Sequence, residues 1–300
     1  MLALALLAGA GWTQAAVTLP PLVADHMVVQ RGAPVHVWGS ASAGEAVSVT
    51  FRGETATTVT GRLGRFHVYL TPGKEGGPFQ MRVKGTNEIV LNDILVGDVW
   101  VAAGQSNMEW PIRWAGAPEV EISASHHPRI RLFRVMHRVS EYELEDLYGK
   151  PWAECSPETV ADFSAVGYHF GRNLQEKIGV PIGLIQIAWG GTPIDSWTSY
   201  EALTADATLM PALAAWAKMM RDFPEALLLY HQEAKRWEAS LARAKAAGMA
   251  FKEPAPARPV GPSGPWKPGA IFNGMVAPAA RFAIRGVIWY QGESNTATER

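Results

Sequence analysis

The run Val99-Trp100-Val101-Ala102-Ala103-Gly104, followed at once by Gln105-Ser106-Asn107-Met108-Glu109-Trp110, constrains this chain more than any other stretch. An apolar, partly β-branched run that stops at a small-residue turn predicts a buried strand. Such a strand delivers a serine hydroxyl at its carboxyl end, where open α/β sheets keep their chemistry. Two more strand-like runs stop the same way. Leu184 to Ala188 leads into Gly190-Gly191-Thr192, and Val287 to Tyr290 leads into Gln291-Gly292-Glu293-Ser294-Asn295. The expectation is three strand ends gathered around one carbonyl group, with Ser106 as the nucleophile of an esterase-type site.

The sequence around this block sets the architecture. At 300 residues the chain exceeds one ordinary hydrophobic core, so two units, or one α/β unit with an appendage, are expected. Period-two runs separated by Gly-rich turns, such as Val47 to Phe51, Phe66 to Leu70 and Phe79 to Lys84, predict an antiparallel β-sandwich over 17–96. From 97 to 300 strands alternate with helices, which implies a mainly parallel sheet. Val166, Phe170, Leu174 and Ile178 form one apolar stripe on a helix predicted over 161–178 and ended by Gly179. A helical insertion spans about 200–250. Its apolar residues Leu227, Tyr230, Ala234, Trp237, Leu241 and Ala244 predict a helix packed on a second one over 202–220, with Trp237 in the core. Six prolines between Pro254 and Pro268 make that segment a connector rather than a regular element.

Composition excludes several classes. With 27 Lys and Arg against 28 Asp and Glu, there is no basic stripe to attract phosphate backbones, so nucleic acid is not an expected partner. The single cysteine, Cys155, can form neither an internal disulfide nor a thiolate cage, and is expected to be buried as a small apolar residue. The apolar run from Met1 is too short to span a bilayer. With the small residues Thr13 and Ala15 it predicts a signal peptide over 1–16, cut near Ala15 or Ala16, and export to the periplasm or beyond. No later stretch suggests membrane insertion. His126 and His127 precede Pro128 in a loop, but adjacent histidines rarely aim at one ion, so no metal is expected.

A serine hydroxyl attacks a carbonyl only when a base accepts its proton and donors await the developing oxyanion. Ser106 sits at a strand-to-helix turn that leaves its own backbone N–H free. Gly190 or Gly191 can bring a second N–H close because neither carries a Cβ. Gln291 or Asn295 offers a side-chain amide as a third donor. Gln105 flanks the nucleophile, and Glu293 is expected to orient neighbouring amides rather than react. Among the 12 tryptophans, Trp110, Trp114, Trp189 and Trp197 lie nearest the site in sequence. An aromatic face suits the C–H side of a sugar ring, and one or two of these four are expected to meet substrate.

The blocks Gly104 to Trp110, Gly190 to Trp197, Asn273-Gly274-Met275 and Trp289 to Asn295 are similar to the sialate O-acetylesterase and acetylxylan esterase branch of the SGNH hydrolase superfamily. The resemblance extends from Leu19 to Asn295. It implies a flavodoxin-like three-layer α/β/α domain, often preceded by a β domain, acting without a cofactor on an acetylated carbohydrate. It also implies that Ser106 is the nucleophile and that Gly191, ahead of Gly190, gives an oxyanion amide. Gln291 stands where the family usually has asparagine. The family's general base lies in an Asp-x-x-His block, and none of the eight histidines here has aspartate three residues before it. The expectation is a chain that stops short of that block; the alternatives are a substitute histidine, or a carbohydrate-binding protein that does not cleave. A lipase fits less well, since Gly-x-Ser-x-Gly is absent at Ser106.

Overall fold

The computed structural model describes residues 16–296, so the signal peptide expected over 1–16 lies outside the described residues except for Ala16. The period-two runs become β1 (Val28–Gln30), β2 (Val35–Ser40), β3 (Ala46–Phe51), β4 (Glu54–Val59), β5 (Arg65–Leu70) and β6 (Gly76–Lys84). Their alternation has the expected sense: Met81 and Val83 of β6 are buried, while Gln80, Arg82 and Lys84 face water. Strand β3 pairs antiparallel with β4 and β6, and β2 with β5.

The next strand, β7 (Glu88–Gly104), is 17 residues long and belongs to two environments. Its first half pairs antiparallel with β6 and parallel with β1, whereas its second half is a central strand of a parallel sheet. That sheet is completed by β8 (His127–Arg134), the antiparallel edge β9 (Ala153–Cys155), β10 (Ile182–Ala188) and β11 (Gly286–Tyr290), in the order β11-β7-β10-β8-β9. The junction along β7 is pinned by polar side chains. Gln30 Oε1 accepts from Val99 N–H (2.8 Å), and Asp98 receives a two-pronged Arg31 guanidinium (2.8 and 2.9 Å). Trp152, buried beneath the parallel sheet, donates its indole N–H to the Leu22 carbonyl (3.0 Å).

The helices are α1 (Ser106–Glu109), α2 (Pro118–Ser123), α3 (Pro157–Val160), α4 (Ala165–Ile178), α5 (Tyr200–Ala205) and α6 (Met210–Ala246). Both faces of the parallel sheet are covered. Val101, Ala103, Phe133, Ile185 and Ile187 share a cluster with Ile271, Met275, Ala279 and Phe282, while Ile130, Leu132, Ile182 and Leu184 meet Tyr168 and Ala165 of α4. The first cluster continues without a break to Val37, Phe66 and Val49 of the amino-terminal strands. Cys155 is buried, and desolvation pushes its thiol up to about 12, so it is inert as a nucleophile.

Helix α4 begins at Ser164, whose hydroxyl caps Gly167 N–H (3.0 Å), and ends at left-handed Gly179. Its buried face corrects the sequence expectation. Val166 and Ile178 are exposed, and the residues packed inward are Ala165, Gly167, Tyr168 and Gly171. A Cβ at Gly171 would stand 2.6 Å from Leu184 Cδ1, and one at Gly167 would stand 3.2 Å from the Ala102 Cβ. Close approach of helix to sheet selects small residues at the centre of this face, so of the large apolar stripe Phe170 and Leu174 pack against the core at its edge while Val166 and Ile178 do not.

The 200–250 region is corrected as well. In place of two packed helices, α6 runs unbroken for 37 residues through Pro224 and buries no residue completely. Its stripe is covered by the returning connector: Trp237 packs edge-on against Phe251 (5.7 Å) and donates to the Glu253 carbonyl (2.9 Å), and Gly261 approaches Phe223. Trp237 is therefore half-buried rather than core. No described helix is long and apolar enough to cross a membrane.

Candidate active site

The parallel pairings align three strand ends. Ala188 of β10 and Tyr290 of β11 both pair with Gly104 of β7, so the segments that follow emerge side by side. Gly104 is required for this meeting. Its φ is +146°, and a Cβ would lie 2.0 Å from the Tyr290 carbonyl oxygen. The chain then turns: Gln105 N–H donates to that same carbonyl (3.0 Å), and the buried Gln105 side chain accepts from Ser294 N–H (3.2 Å), Gly292 N–H (3.4 Å) and Gln291 Nε2 (3.3 Å). Gln105 thus ties the end of β7 to the loop after β11.

Ser106 opens α1 and is exposed. Among the described residues its hydroxyl has no hydrogen-bond partner. Its Cβ lies 3.2 Å from where a Gly190 Cβ would be, so the glycine at 190 lets the β10 turn press against the serine. The two glycines have different surroundings. Gly190 N–H donates to Glu109 Oε2 (2.7 Å), whereas Gly191, at φ +72°, has open space on its Cβ side. The turn is fixed by Thr192, whose hydroxyl donates to the Trp189 carbonyl (2.7 Å) and accepts from the buried Trp197 indole (2.8 Å).

Of the amide side chains, Gln291 Nε2 reaches the Thr192 carbonyl (3.1 Å), Gln105 Oε1 and Asn295 Oδ1 (both 3.3 Å). Asn295 Oδ1 also accepts from Ile194 N–H (2.8 Å), and its amide donates to Asp195 (3.4 Å). Glu293 accepts from the Asn107 side-chain amide. All the residues singled out from sequence therefore meet at one end of the sheet, bound mostly to one another.

Sequence reasoning missed Glu109 and His137. Glu109 lies three residues after Ser106, one helical turn on, and its two oxygens divide their work. Oε2 takes Gly190 N–H, while Oε1 takes His137 Nε2 (2.7 Å), with Arg134 at 4.0 Å. Burial opposes ionisation of Glu109, yet the His137 and Gly190 hydrogen bonds and the nearby positive charge outweigh it and hold the carboxyl below its usual range. His137 Nε2 also points at the Ala188 carbonyl (3.1 Å). Both neighbours are acceptors, so Nε2 carries the proton and cannot take one from Ser106. The ring stacks flat on Trp189, centroids 4.2 Å apart. The Glu109 signal was its i+3 spacing from the serine; His137 had none, because only the chain's path after β8 brings it in.

Trp110 and Trp114 stand beside Ser106 in an edge-to-face pair 5.5 Å apart, with 47% and 59% of their surfaces exposed, whereas Trp197 is buried. Their exposure separates them from the structural tryptophans. Together with Ser106 they line a hollow of about 280 Å³.

Residues 96–249 match the family model for carbohydrate esterase, sialic acid-specific acetylesterase. The chain belongs to this family. Its relatives include sialate O-acetylesterases from Rattus norvegicus, 31% identical over 92% of this chain and 52% of that protein, and from Homo sapiens, 30% identical over 90% and 47%. A carbohydrate acetylesterase crystal structure from Xanthomonas citri superposes with a TM-score of 0.73 at 31% identity, covering 95% of this chain and 53% of that one. The chain spans about half the length of the acetylesterases it matches. The family match begins within β7 and includes the strand end that carries Ser106, the Gly190-Gly191 turn and both newly found residues, Glu109 and His137.

Proposed function

We propose that this chain carries the nucleophile and oxyanion half of an O-acetylesterase acting on acetylated carbohydrates. Ser106 attacks the acetyl carbonyl, the bond to the sugar oxygen breaks, and water then releases acetate from the acetyl-serine. The backbone N–H groups of Ser106 and Gly191 are the oxyanion donors in this reading, since Gly190 N–H is already committed to Glu109. Gln291 and Asn295 hold the two flanking turns together, and the Gln291 amide is the third oxyanion donor in this reading. The proton acceptor for Ser106 is a histidine of the Asp-x-x-His type, and no histidine in this sequence has that pattern.

One observation carries the reading: an exposed, unpartnered serine hydroxyl at the carboxyl end of a central strand, pressed against a glycine turn and flanked by two exposed tryptophans. Acetate release from O-acetylated sugars, followed by NMR, tests it. In protein that includes the Asp-x-x-His segment, Ser106→Ala should abolish release and leave the fold intact; undiminished release would remove Ser106 from the mechanism.

The same reading extends to architecture and location. We take residues 97–300 as a flavodoxin-like three-layer domain and 17–96 as a β-sandwich joined to it through β7, and 1–16 as a leader that directs export. Sequencing the amino terminus of the protein recovered from its native compartment checks the leader, with Ala16 or Val17 expected first.

A further inference from the structure

The two-stranded ladder of β2 and β5 carries a row of rings on its water-facing side. His36 and Tyr69 are register partners, and their rings stack almost flat, with centroids 4.5 Å apart and planes 10° apart. His36 also stacks on His67 (5.2 Å) and is anchored at both ring nitrogens: Nδ1–H donates to the Arg281 carbonyl (3.1 Å), and Nε2 meets His67 Nδ1 (3.0 Å). Tyr69 ends the row, since among the described residues no further ring packs on it. One face of its ring is covered by His36, yet 60% of the residue is exposed, so the other face is open.

Tyr69 lines a hollow of about 520 Å³ together with Gly32 and Pro34 of the turn before β2, Glu54 at the start of β4, and Thr71 and Gly73 of the loop after β5. That size falls in the range of small-molecule sites. Its polar groups have capacity to spare. Glu54 Oε2 accepts from Thr71 N–H (2.8 Å), and among the described residues its other oxygen has no partner, nor do the hydroxyls of Tyr69 and Thr71. Glu54 is the charged residue of the wall. Arg52 stands against Gly73, but its Nη1 is taken by the Pro72 and Lys74 carbonyls (2.8 and 2.6 Å). The hollow shares no residue with the one at Ser106. Gln30, at the end of β1, pairs with Gly97, and the stretch of β7 from Gly97 to Gly104 sets about 20 Å between the two places.

We infer that this hollow is a second glycan-binding site, which holds a neutral, β-linked sugar chain without reacting with it. Such a chain offers a flat C–H face to the free side of Tyr69, and hydroxyls that donate to Glu54 and exchange hydrogen bonds with Thr71. A flat aryl ligand would use the ring and leave the carboxylate and the hydroxyl unmatched, and an anionic ligand would face Glu54. The site goes beyond the esterase reading: a polymer held at one end of the molecule has a raised local concentration at the other.

Titration of the isotope-labelled chain with xylohexaose, followed by amide NMR, tests the proposal without requiring turnover. The Gly32, Thr71 and Gly73 amides should shift and saturate together, separately from any shifts around Ser106. Tyr69→Ala should weaken this saturation by about five- to tenfold, whereas Tyr69→Phe, which keeps the ring, should weaken it by less than about twofold. Glu54→Ala should weaken it by about two- to fivefold. If Tyr69→Ala fails to fold, Glu54→Ala and the map of shifted amides decide alone. The site is overturned if those amides show no saturable shift below about 10 mM xylohexaose, if the shifts survive Tyr69→Ala unchanged, or if ferulate binds there and the oligosaccharide does not. Ser106 has no part in this readout, so failure of the esterase reading and failure of the second site are told apart.

Discussion

Replacing Glu109 with alanine should loosen the turn that holds Gly190 and Gly191 against Ser106. The carboxylate accepts Gly190 N–H and His137 Nε2, each at 2.7 Å, from a position where its side chain is only 21% exposed. A hydrogen bond to a charged group contributes about 1.5–3 kcal/mol, and the more exposed His137 bond lies at the low end. Removing the acceptor should therefore raise the exchange rate of the Gly190 amide by about ten- to a hundredfold, at about 1.4 kcal/mol per decade. Global stability should fall by about 1–2 kcal/mol, because only part of that local loss is shared by the whole fold. Hydrogen exchange read by NMR measures the first quantity and denaturant unfolding the second. Glu109→Gln keeps an acceptor oxygen and should lose less Gly190 protection. The sign of the pH effect follows from the depressed carboxyl. Its stabilisation is complete above the unfolded carboxylate range and disappears as pH falls through the lower folded value. In Glu109→Gln that dependence should vanish. Unchanged Gly190 exchange in Glu109→Ala would refute the positioning role.

Other perturbations probe the scaffold. Gly104→Ala forces a Cβ to within 2.0 Å of the Tyr290 carbonyl at a backbone angle that side chains avoid, so thermal unfolding should show a loss of at least about 3 kcal/mol. Gly171→Leu drives α4 off Leu184 and should cost about 1–3 kcal/mol in urea unfolding. Asp98→Asn breaks the Arg31 clamp and should cost about 2–3 kcal/mol. Burial opposes ionisation of Asp98, but Arg31 and Gln30 hold its carboxyl low, so the wild type should lose this contribution only as pH falls through that depressed value, and the variant should show no such loss. Trp114→Ala should weaken glycan binding by calorimetry with little change in melting temperature, because most of that ring is already in water.

The strand ends were legible because each joins a pattern change to a small-residue turn. The runs before Ser106 and Gly190 are apolar enough to be central strands, the run before Gln291 forms the more exposed β11 beside β7, and the registers converge on Gly104. Helix α4 was legible in extent but only half in orientation, since Phe170 and Leu174 of the expected stripe meet the core and Val166 and Ile178 do not. Apolar periodicity weighs large side chains, and the buried face here is set by Gly167 and Gly171, where close packing needs an absence of volume. Helix α6 was misread for a different reason. Its stripe signals a partner without saying which, and the partner is the proline-rich return segment through Phe251 and Glu253. Glu109 lay in plain view inside the serine block, yet its role depends on a glycine 81 residues away in sequence and a histidine 28 away. Pairings of that range are decided by strand order, which one sequence does not reveal.

Acetate released from an O-acetylated oligosaccharide by protein that includes the Asp-x-x-His segment and by its Ser106→Ala variant, with the peptide containing Ser106 examined by mass spectrometry for an acetyl adduct, tests the central claim most directly. The account predicts an adduct on Ser106 and a loss of at least about a thousandfold in release for the variant. Release undiminished in Ser106→Ala, or an acetyl group carried on a different residue, would contradict it.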